Sequence, residues 1–513
     1  MKRGSLVSGD ADSDGELVFS QPRYRFKPLV YPPKPIPEEE LEGLSTELAG
    51  FRMRTPFGVG AIGAIERNGF RSPDEVASLY LKHLEAGGGH INLCSLMYFS
   101  PEAEAELLSK ARKKDWEVLW RKLGKPMPTP FIYGYGWSTS WGFLAMSMAT
   151  GGKDMHIVDD GRHGEEILRA QERIVGIIKD RRPENAPIIA NVQGYGGIPE
   201  GYVPSAKAAE EIGVEIIELN LSCPIPAGLV GAVDFYQEEN WPACGPGQYT
   251  TLMKPGIGDK IVEAVVRAVS IPVGVKLSPE ITGFPLCVDL AQRFRKAGAK
   301  FITTLNNGVT VIPPDIYNRG RPRLKNVDNN TFCGMSGPNL LLENYKVTAA
   351  IVRHVPGMEV MSVGGISTPE NVVEMLMLGA RTTEQVTQVK MRGLQTLRDN
   401  VRFFRWFLED QGYGCVEEFI GIHQQYMGGI EEMCGLDDIT FIGVTDPDKC
   451  VGCGICCDMP DKICRTLKNG KAIVEIDRCN GCGVCALCCP VGACTMQPMK
   501  GRTRPGAFTL GTS

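Results

Sequence analysis

The sequence predicts an α/β chain: a (β/α)8 TIM barrel with insertions, followed by a small, cysteine-rich α+β domain. From about residue 50 to residue 400, short β-branched runs alternate with helical stretches, about eight units in all, which is the count and size of such a barrel. Several of the runs are apolar through most of their length, as parallel strands buried on both faces are. Residues 450–494 then hold eleven of the eighteen cysteines. A doubly wound sheet is the competing α/β architecture.

Residues 1–45 are polar and then proline-rich (YPPKPIP, Tyr31 to Pro37), which reads as an extended arm on another surface or as disorder. The barrel is expected over 46–400. Its candidate strands are Phe57–Gly63, His90–Ser95, Phe131–Tyr135, Ile188–Gln193, Glu215–Ser222, Pro272–Ser278, Lys300–Asn307, Glu359–Gly364 and Thr382–Val389. Helices are expected at Ser205–Ile212, Gly258–Val269, Val288–Ala297, Asn339–Val355 and Pro369–Leu378. Residues 401–440 read as a helical connector, and 441–513 as the cysteine-rich domain.

The cysteine spacing is the most specific signal. Cys479-x2-Cys482-x2-Cys485-x3-Cys489-Pro490 is the bacterial ferredoxin run, and Cys450-x2-Cys453-x2-Cys456 is a second run with a displaced fourth member. In this arrangement two [4Fe–4S] clusters cross-ligate, so Cys450, Cys453 and Cys456 pair with Cys489. The other cluster takes Cys479, Cys482, Cys485 and a cysteine from the first half. Pro460 stands where the usual spacing puts that ligand. Cys464 is the best candidate and Cys457 the alternative; without either, the site is a three-iron cluster. Zinc sites usually show two separated C-x2-C pairs, and a disulfide scaffold needs export.

At 513 residues and 43% hydrophobic content, the chain is long enough for two or more domains with a large core. The net charge of -5 argues against nucleic acid or an anionic membrane as partner. No apolar stretch follows the two basic residues of MKRGSLVSGD, and no run of about eighteen apolar residues occurs, so neither signal peptide nor membrane span is expected. Thiol abundance without export points to a reducing cytoplasm.

Barrel chemistry sits where strands end. There the chain carries Glu218-Leu219-Asn220-Leu221-Ser222-Cys223-Pro224, Val275-Lys276-Leu277-Ser278, Leu305-Asn306-Asn307-Gly308 and Val363-Gly364-Gly365-Ile366. An ammonium such as Lys276 suits a flavin, whose reduced ring carries negative charge. A Gly-Gly turn before a helix lets backbone N–H groups approach a phosphate.

ELNLSCP, VKLSP, the Asn306 segment, CGMSGP (Cys333–Pro338) and SVGGIS together resemble the dihydroorotate dehydrogenase-like flavoproteins. A C-terminal two-cluster ferredoxin domain makes the likeness narrower, to the dihydropyrimidine dehydrogenase branch. The resemblance covers roughly 50–400 and 445–500 and implies FMN at the barrel mouth and reduction of the C5=C6 bond of uracil or thymine. It implies Cys223 as general acid, with Asn220, Ser222, Asn306 and Asn307 on the substrate. Lys276 would support the flavin, with Gly60, Ser95, Ser336, Gly337, Gly364, Gly365, Thr387 and Gln388 completing the cofactor site. It also implies an NAD(P)H-oxidising flavoprotein subunit or a ferredoxin as electron donor, and a homodimer or hetero-oligomer.

Three positions depart from the family. Cys94-Ser95 stands where a flavin-contacting Lys-Thr pair is expected, Gly194-Tyr195-Gly196-Gly197 where a pyrimidine-binding Asn is expected, and Asn307 where a Thr is expected. The stretch from Pro224 to Gln248 is long enough for a lid. The aromatic insertion Phe131–Phe143 reads as core or as the wall of a larger substrate site. These departures keep two rivals open: a non-pyrimidine cyclic or aromatic substrate, and an electron-transfer subunit with a silent barrel. Gly58-x-Gly60-x-x-Gly63 matches a dinucleotide fingerprint only by letter. The six histidines show no ligand spacing and read as surface or core.

Overall fold

The computed structural model describes residues 34–61, 72–96, 131–134, 142–147, 164–194, 199–222, 256–311, 314–322, 332–428, 438–458 and 464–503. The chain divides into two compact units, one over 28–424 and one containing the C-terminal residues from Gln425.

In the first unit eight strands form one sheet: β1 (Phe57–Gly58), β2 (Ile91–Leu96), β3 (Ile188–Val192), β4 (Ile216–Asn220), β5 (Val273–Lys276), β6 (Phe301–Thr303), β7 (Glu359–Val363) and β8 (Thr382–Glu384). Their order is β1-β8-β7-β6-β5-β4-β3-β2, and every pairing between neighbours is parallel. The two edges meet where Gly89 N–H donates to Phe57 C=O at 2.8 Å. This is a (β/α)8 barrel. Every residue of β3 and β4 is buried, as expected of strands covered on both faces.

Helices follow the strands: α1 (Pro73–Glu85), α2 (Gly164–Arg181), α3 (Pro199–Glu211), α4 (Ile257–Ala268), α5 (Leu286–Lys296), α6 (Leu341–His354), α7 (Pro369–Met377), α8 (Thr387–Arg392) and α9 (Gln395–Gln411). Sequential helices pack side by side, α1 on α2, α3 on α4, α4 on α5 and α5 on α6. Their starts are chemically marked. Ser72 and Glu75 form a capping box with Pro73 in the first turn, and Thr368 with Asn371 repeats the device ahead of Pro369. Each cap contributes about 1 kcal/mol by satisfying N–H groups that have no partner inside the helix.

A hairpin of Thr46–Leu48 and Phe51–Met53 closes the N-terminal end of the barrel. Its Leu48 and Met53 pack on Ile189, Ile216, Phe301 and Met361 in a cluster with no solvent exposure. The polar strand ends therefore lie at the opposite mouth.

The structure differs from the sequence expectation in two elements. Phe131–Gly134 is not a barrel strand; it pairs with Gly142–Ser147 in a separate four-stranded antiparallel sheet that also holds Phe332–Ser336 and Gly308–Val311. The last strand stops at Glu384, and Thr387 and Gln388 open helix α8 instead of extending the strand to Val389.

In the C-terminal unit, β9 (Asp438–Thr445) pairs antiparallel with β12 (Cys494–Thr503), and β10 (Arg465–Lys468) pairs with β11 (Lys471–Val474). A short helix, α10 (Val484–Cys488), follows the second cysteine run's opening. Among the described residues, no helix is long and apolar enough to cross a membrane.

Candidate functional site

The barrel interior holds a buried polar network that begins on β4. Strand alternation puts Glu218 and Asn220 on the same face. Glu218, with no solvent exposure, accepts from Thr303 Oγ1 at 2.6 Å and from Asn191, and pairs with Lys276 Nζ at 3.4 Å. Asn220 donates to Asn191 Oδ1 at 3.0 Å, and its own Oδ1 accepts from Asn306 Nδ2 at 3.2 Å and Ser222 Oγ at 3.2 Å. Asn306 also donates to Ser222 Oγ at 3.1 Å. The sequence-derived substrate residues Asn220, Ser222 and Asn306 are thus brought into one hydrogen-bonded group, adjacent in register to Lys276. Asn307 follows on the same rim, its N–H on Asn306 Oδ1 at 2.8 Å.

A second buried carboxylate, Glu384, comes from β8. His90 Nε2 lies 3.0 Å and Asn92 Nδ2 2.8 Å from its Oε1. Burial pushes the Glu384 carboxyl upward, but the hydrogen bond with His90, the charges of Lys276 and His90, and the bond from Asn92 outweigh it and hold the pKa below the usual value. Glu384 is therefore an anion at neutral pH. Its second oxygen, Oε2, is buried without a hydrogen-bond partner.

Glu384 lines a cleft of about 750 Å³, counting the part open to solvent, together with Lys276, Asn306 and Asn307. The other end of the cleft is built from Ser336, Gly337, Gly364, Gly365, Thr387 and Lys390. Ser336 and Thr387 hydroxyls are 2.9 Å apart. Gly365 has φ 79°, and a side chain there would collide with the backbone of Leu341 at 2.3 Å, so only glycine turns the chain here. A wall of hydroxyls, tightly turned backbone and an ammonium suits a phosphate; a floor of ammonium, amide and orphan acceptor suits the mixed donor–acceptor edge of a heterocycle.

Of the remaining cofactor candidates, Gly60 lies against the floor, where a side chain would meet Glu384 Oε2 at 3.0 Å. Gln388 does not line the cleft; its carbonyl accepts from Thr396. Cys223, the lid stretch and the Cys94 and Ser95 side chains lie outside the described residues. Sequence reasoning missed Glu218, Glu384, His90, Asn92, Asn191 and Lys390. The available signal was one polar residue inside each of several otherwise apolar strands.

In the C-terminal unit Cys450, Cys453, Cys456 and Cys489 line a depression of about 300 Å³, counting the part open to solvent, with Ala472, Ala493 and Cys494 also on its wall. Ala472 N–H donates to Cys450 Sγ at 3.5 Å and Ala493 N–H to Cys489 Sγ at 3.1 Å. N–H bonds from Ala472 and Gly452 lower the Cys450 pKa; at Cys489, burial raises it and three backbone N–H bonds outweigh that. By contrast burial, with Cys456 beside it, pushes Cys457 up to about 11, and burial pushes Cys494 up to about 12. Cys464 packs with Cys479 and feels the charges of Cys479 and Cys482, which also act on Cys485. Burial raises both Cys464 and Cys485. Among the described residues no three His, Cys, Asp or Glu side chains converge on a single-ion site.

A family model described as dihydroorotate dehydrogenase matches residues 165–401. The chain is 30% identical over 259 residues, half of its own length and 74% of the relative's, to the dihydroorotate dehydrogenase B (NAD(+)) catalytic subunit of Methanothermobacter thermautotrophicus. The chain belongs to the dihydroorotate dehydrogenase family. It is also 26% identical over 385 residues, 74% of this chain and 99% of the relative, to the catalytic subunit of that name from Thermoplasma volcanium. A third relative is the NAD-dependent dihydropyrimidine dehydrogenase subunit PreA of Escherichia coli, 25% identical over 297 residues, covering 57% of this chain and 64% of PreA. Family membership makes the chain an oxidoreductase by class, and the matched segment runs from α2 into α9, over most of the barrel.

Proposed function

We propose that the chain is the catalytic subunit of an FMN- and iron–sulfur-dependent oxidoreductase that reduces the C5=C6 bond of a pyrimidine. One observation carries this reading: the amide–hydroxyl group of Asn220, Ser222 and Asn306 reaches, through Asn306, the cleft that Lys276 also lines. Amides with both a donor and an acceptor match the alternating N–H and C=O edge of a pyrimidine.

The cleft fits FMN. The Ser336, Gly364–Gly365, Thr387 and Lys390 end takes the phosphate, while Lys276 and the orphan Oε2 of Glu384 offer a donor and an acceptor to the ring edge. When bound, FMN supplies the hydride that adds to one carbon of the double bond. The protein's tasks are to hold the ring's polar edge through Asn220, Ser222 and Asn306, and to deliver a proton to the other carbon. Cys223, next in sequence after Ser222, is assigned that proton, because a thiol near its solution pKa donates at neutral pH. The C-terminal depression fits a cluster rather than one ion, with four cysteines lining it and backbone N–H groups on two of the sulfurs. Cys464, Cys479, Cys482 and Cys485 are assigned the second cluster. Electrons enter there from an NAD(P)H-oxidising flavoprotein subunit or a ferredoxin; the relatives named above are themselves subunits.

A second reading, a larger non-pyrimidine ring, is favoured by Gly194. A side chain at this position, near where the family has its pyrimidine-binding Asn, would overlap the Tyr202 ring at 2.4 Å. A side chain at position 194 itself is therefore excluded by packing.

The test is anaerobic reduction of the purified protein with limiting dithionite, then addition of uracil while the flavin band is followed against a no-substrate control. Reoxidation that disappears in Cys223→Ala supports both assignments. Bound FMN and intact clusters without reoxidation move the substrate to the larger-ring class. Protein that retains no flavin defeats the reading altogether.

A further inference from the structure

Arg465 opens β10 and is only 4% exposed. Its Nη1 donates to Thr445 Oγ1 at 2.7 Å and Cys494 Sγ at 3.3 Å, and lies 3.9 Å from Cys456 Sγ. Its Nη2 is buried with no hydrogen-bond partner among the described residues. That nitrogen faces Gly443, where the first carbon of a side chain would stand 2.9 Å from Nη2 and 2.5 Å from Cys485 Sγ. The guanidinium thus occupies the space between Cys456 of the first cysteine run and Cys485 of the second.

A buried cation is tolerated only when paired, because desolvation costs several kcal/mol per ion. Among the described residues Arg465 makes no ion pair with a carboxylate; the charges acting on it are those of Cys485, Cys494 and Cys456. Two of these three belong to the sets assigned to the two clusters. An iron–sulfur cluster with its thiolates is anionic, and net charge and hydrogen bonds to sulfur are among the factors that set its potential.

We propose that Arg465 is the shared counter-charge of both clusters, held between them to raise the reduction potential of each. This rests on the cluster assignment above. Each reduction adds one electron, and one negative charge, to a cluster without making or breaking a bond. A fixed positive charge at that position favours the reduced form of whichever cluster holds the electron. Arginine suits the place because its planar, delocalised head fills the space between the two runs and its charge does not titrate.

The experiment is a potentiometric titration of the anaerobic full-length protein, with the two clusters followed by electron paramagnetic resonance, in wild type, Arg465→Gln and Arg465→Lys. Loss of the charge is expected to shift both reduction equilibria at least tenfold toward the oxidised form, about 59 mV per one-electron couple, and Arg465→Lys to recover most of that. Arg465→Gln with two loaded clusters and unchanged potentials, or with only one shifted, overturns the proposal. If Arg465→Gln fails to load, Arg465→Lys decides. Loading in the lysine variant supports a requirement for charge, and failure there overturns it in favour of a packing role. Wild-type protein without iron and acid-labile sulfide defeats the cluster assignment instead, a distinct result.

Discussion

Glu218 offers a sharp test of the barrel site, because four side chains converge on its carboxylate: Asn92, Asn191, Lys276 and Thr303. It is fully buried, bonded to Thr303 and Asn191, and 3.4 Å from the ammonium of Lys276. At an effective dielectric of about 20, opposite charges at that separation attract by about 5 kcal/mol. Glu218→Gln keeps one acceptor oxygen where the carboxylate gave Asn191 and Thr303 one each, and it removes the negative charge that faces Lys276. Removing one partner of a buried pair costs about 3–5 kcal/mol, much of it the penalty of the stranded charge. Glu218→Gln is therefore expected to lose about 3 kcal/mol, and Lys276→Met a similar amount. The double variant should lose at least about 2 kcal/mol less than the sum, since neither charge is then stranded. Urea unfolding followed by far-ultraviolet circular dichroism measures the stability terms, and flavin retained through gel filtration measures the site. Additive losses, or a Glu218→Gln variant within about 1 kcal/mol of wild type, would show that Glu218 is not what holds Lys276.

Three further outcomes follow from the same structure. Glu384→Gln replaces an anion in the cleft by a neutral amide, so it should raise the potential of bound FMN by at least about 30 mV, a tenfold shift for a two-electron couple; a fall on spectroelectrochemical titration contradicts the placement of the ring against Glu384. His83 is buried, and burial together with the charge of His90 pushes its pKa down to about 4. Its folded pKa lies below the unfolded value of about 6.5, so the stability it contributes is complete above about pH 6.5, declines as pH falls, and is gone below about pH 4. That is about 3 kcal/mol, which His83→Leu should remove from the pH dependence of unfolding. Cys464→Ser should halve the iron and labile-sulfide content, whereas Cys457→Ser and Cys494→Ser should leave it unchanged; full loading of Cys464→Ser removes that residue from the ligand set.

The barrel was legible because its strands are apolar runs separated by helical periodicity, and the mouth residues because Asn220, Ser222, Lys276 and Asn306 sit at strand ends. Phe131–Gly134 misled because an apolar run in an antiparallel sheet has the same local pattern as a barrel strand. Thr382–Val389 reads as one β-branched strand, yet the chain leaves the sheet after Glu384 and turns into α8 at the rim of the cleft. The network partners were hidden for a different reason. His90 and Glu384 are 294 residues apart, and neither has a local motif; only closure of the barrel puts them 3.0 Å from each other. In the cysteine-rich unit, spacing identified Cys464 as a candidate, but only packing brings it to Cys479. Arg465 carried no signal, since a lone basic residue between cysteine runs reads as surface.

The departures from the family and the missed residues belong to one electrostatic argument. The resemblance places a second lysine at the end of β2, and this chain has Cys94-Ser95 there. What β2 and the residue before it do supply is Asn92 and His90, and both are committed to Glu384 rather than to the cleft. The floor thus carries Glu218 and Glu384 against the ammonium of Lys276 and the imidazole of His90. The cleft is lined by the ammonium groups of Lys276 and Lys390 and by Glu384, whose Oε2 has no hydrogen-bond partner among the described residues. A flavin ring held against Glu384 would gain negative charge on reduction beside a carboxylate. The reduced form is disfavoured, so the electrons it holds are more strongly reducing.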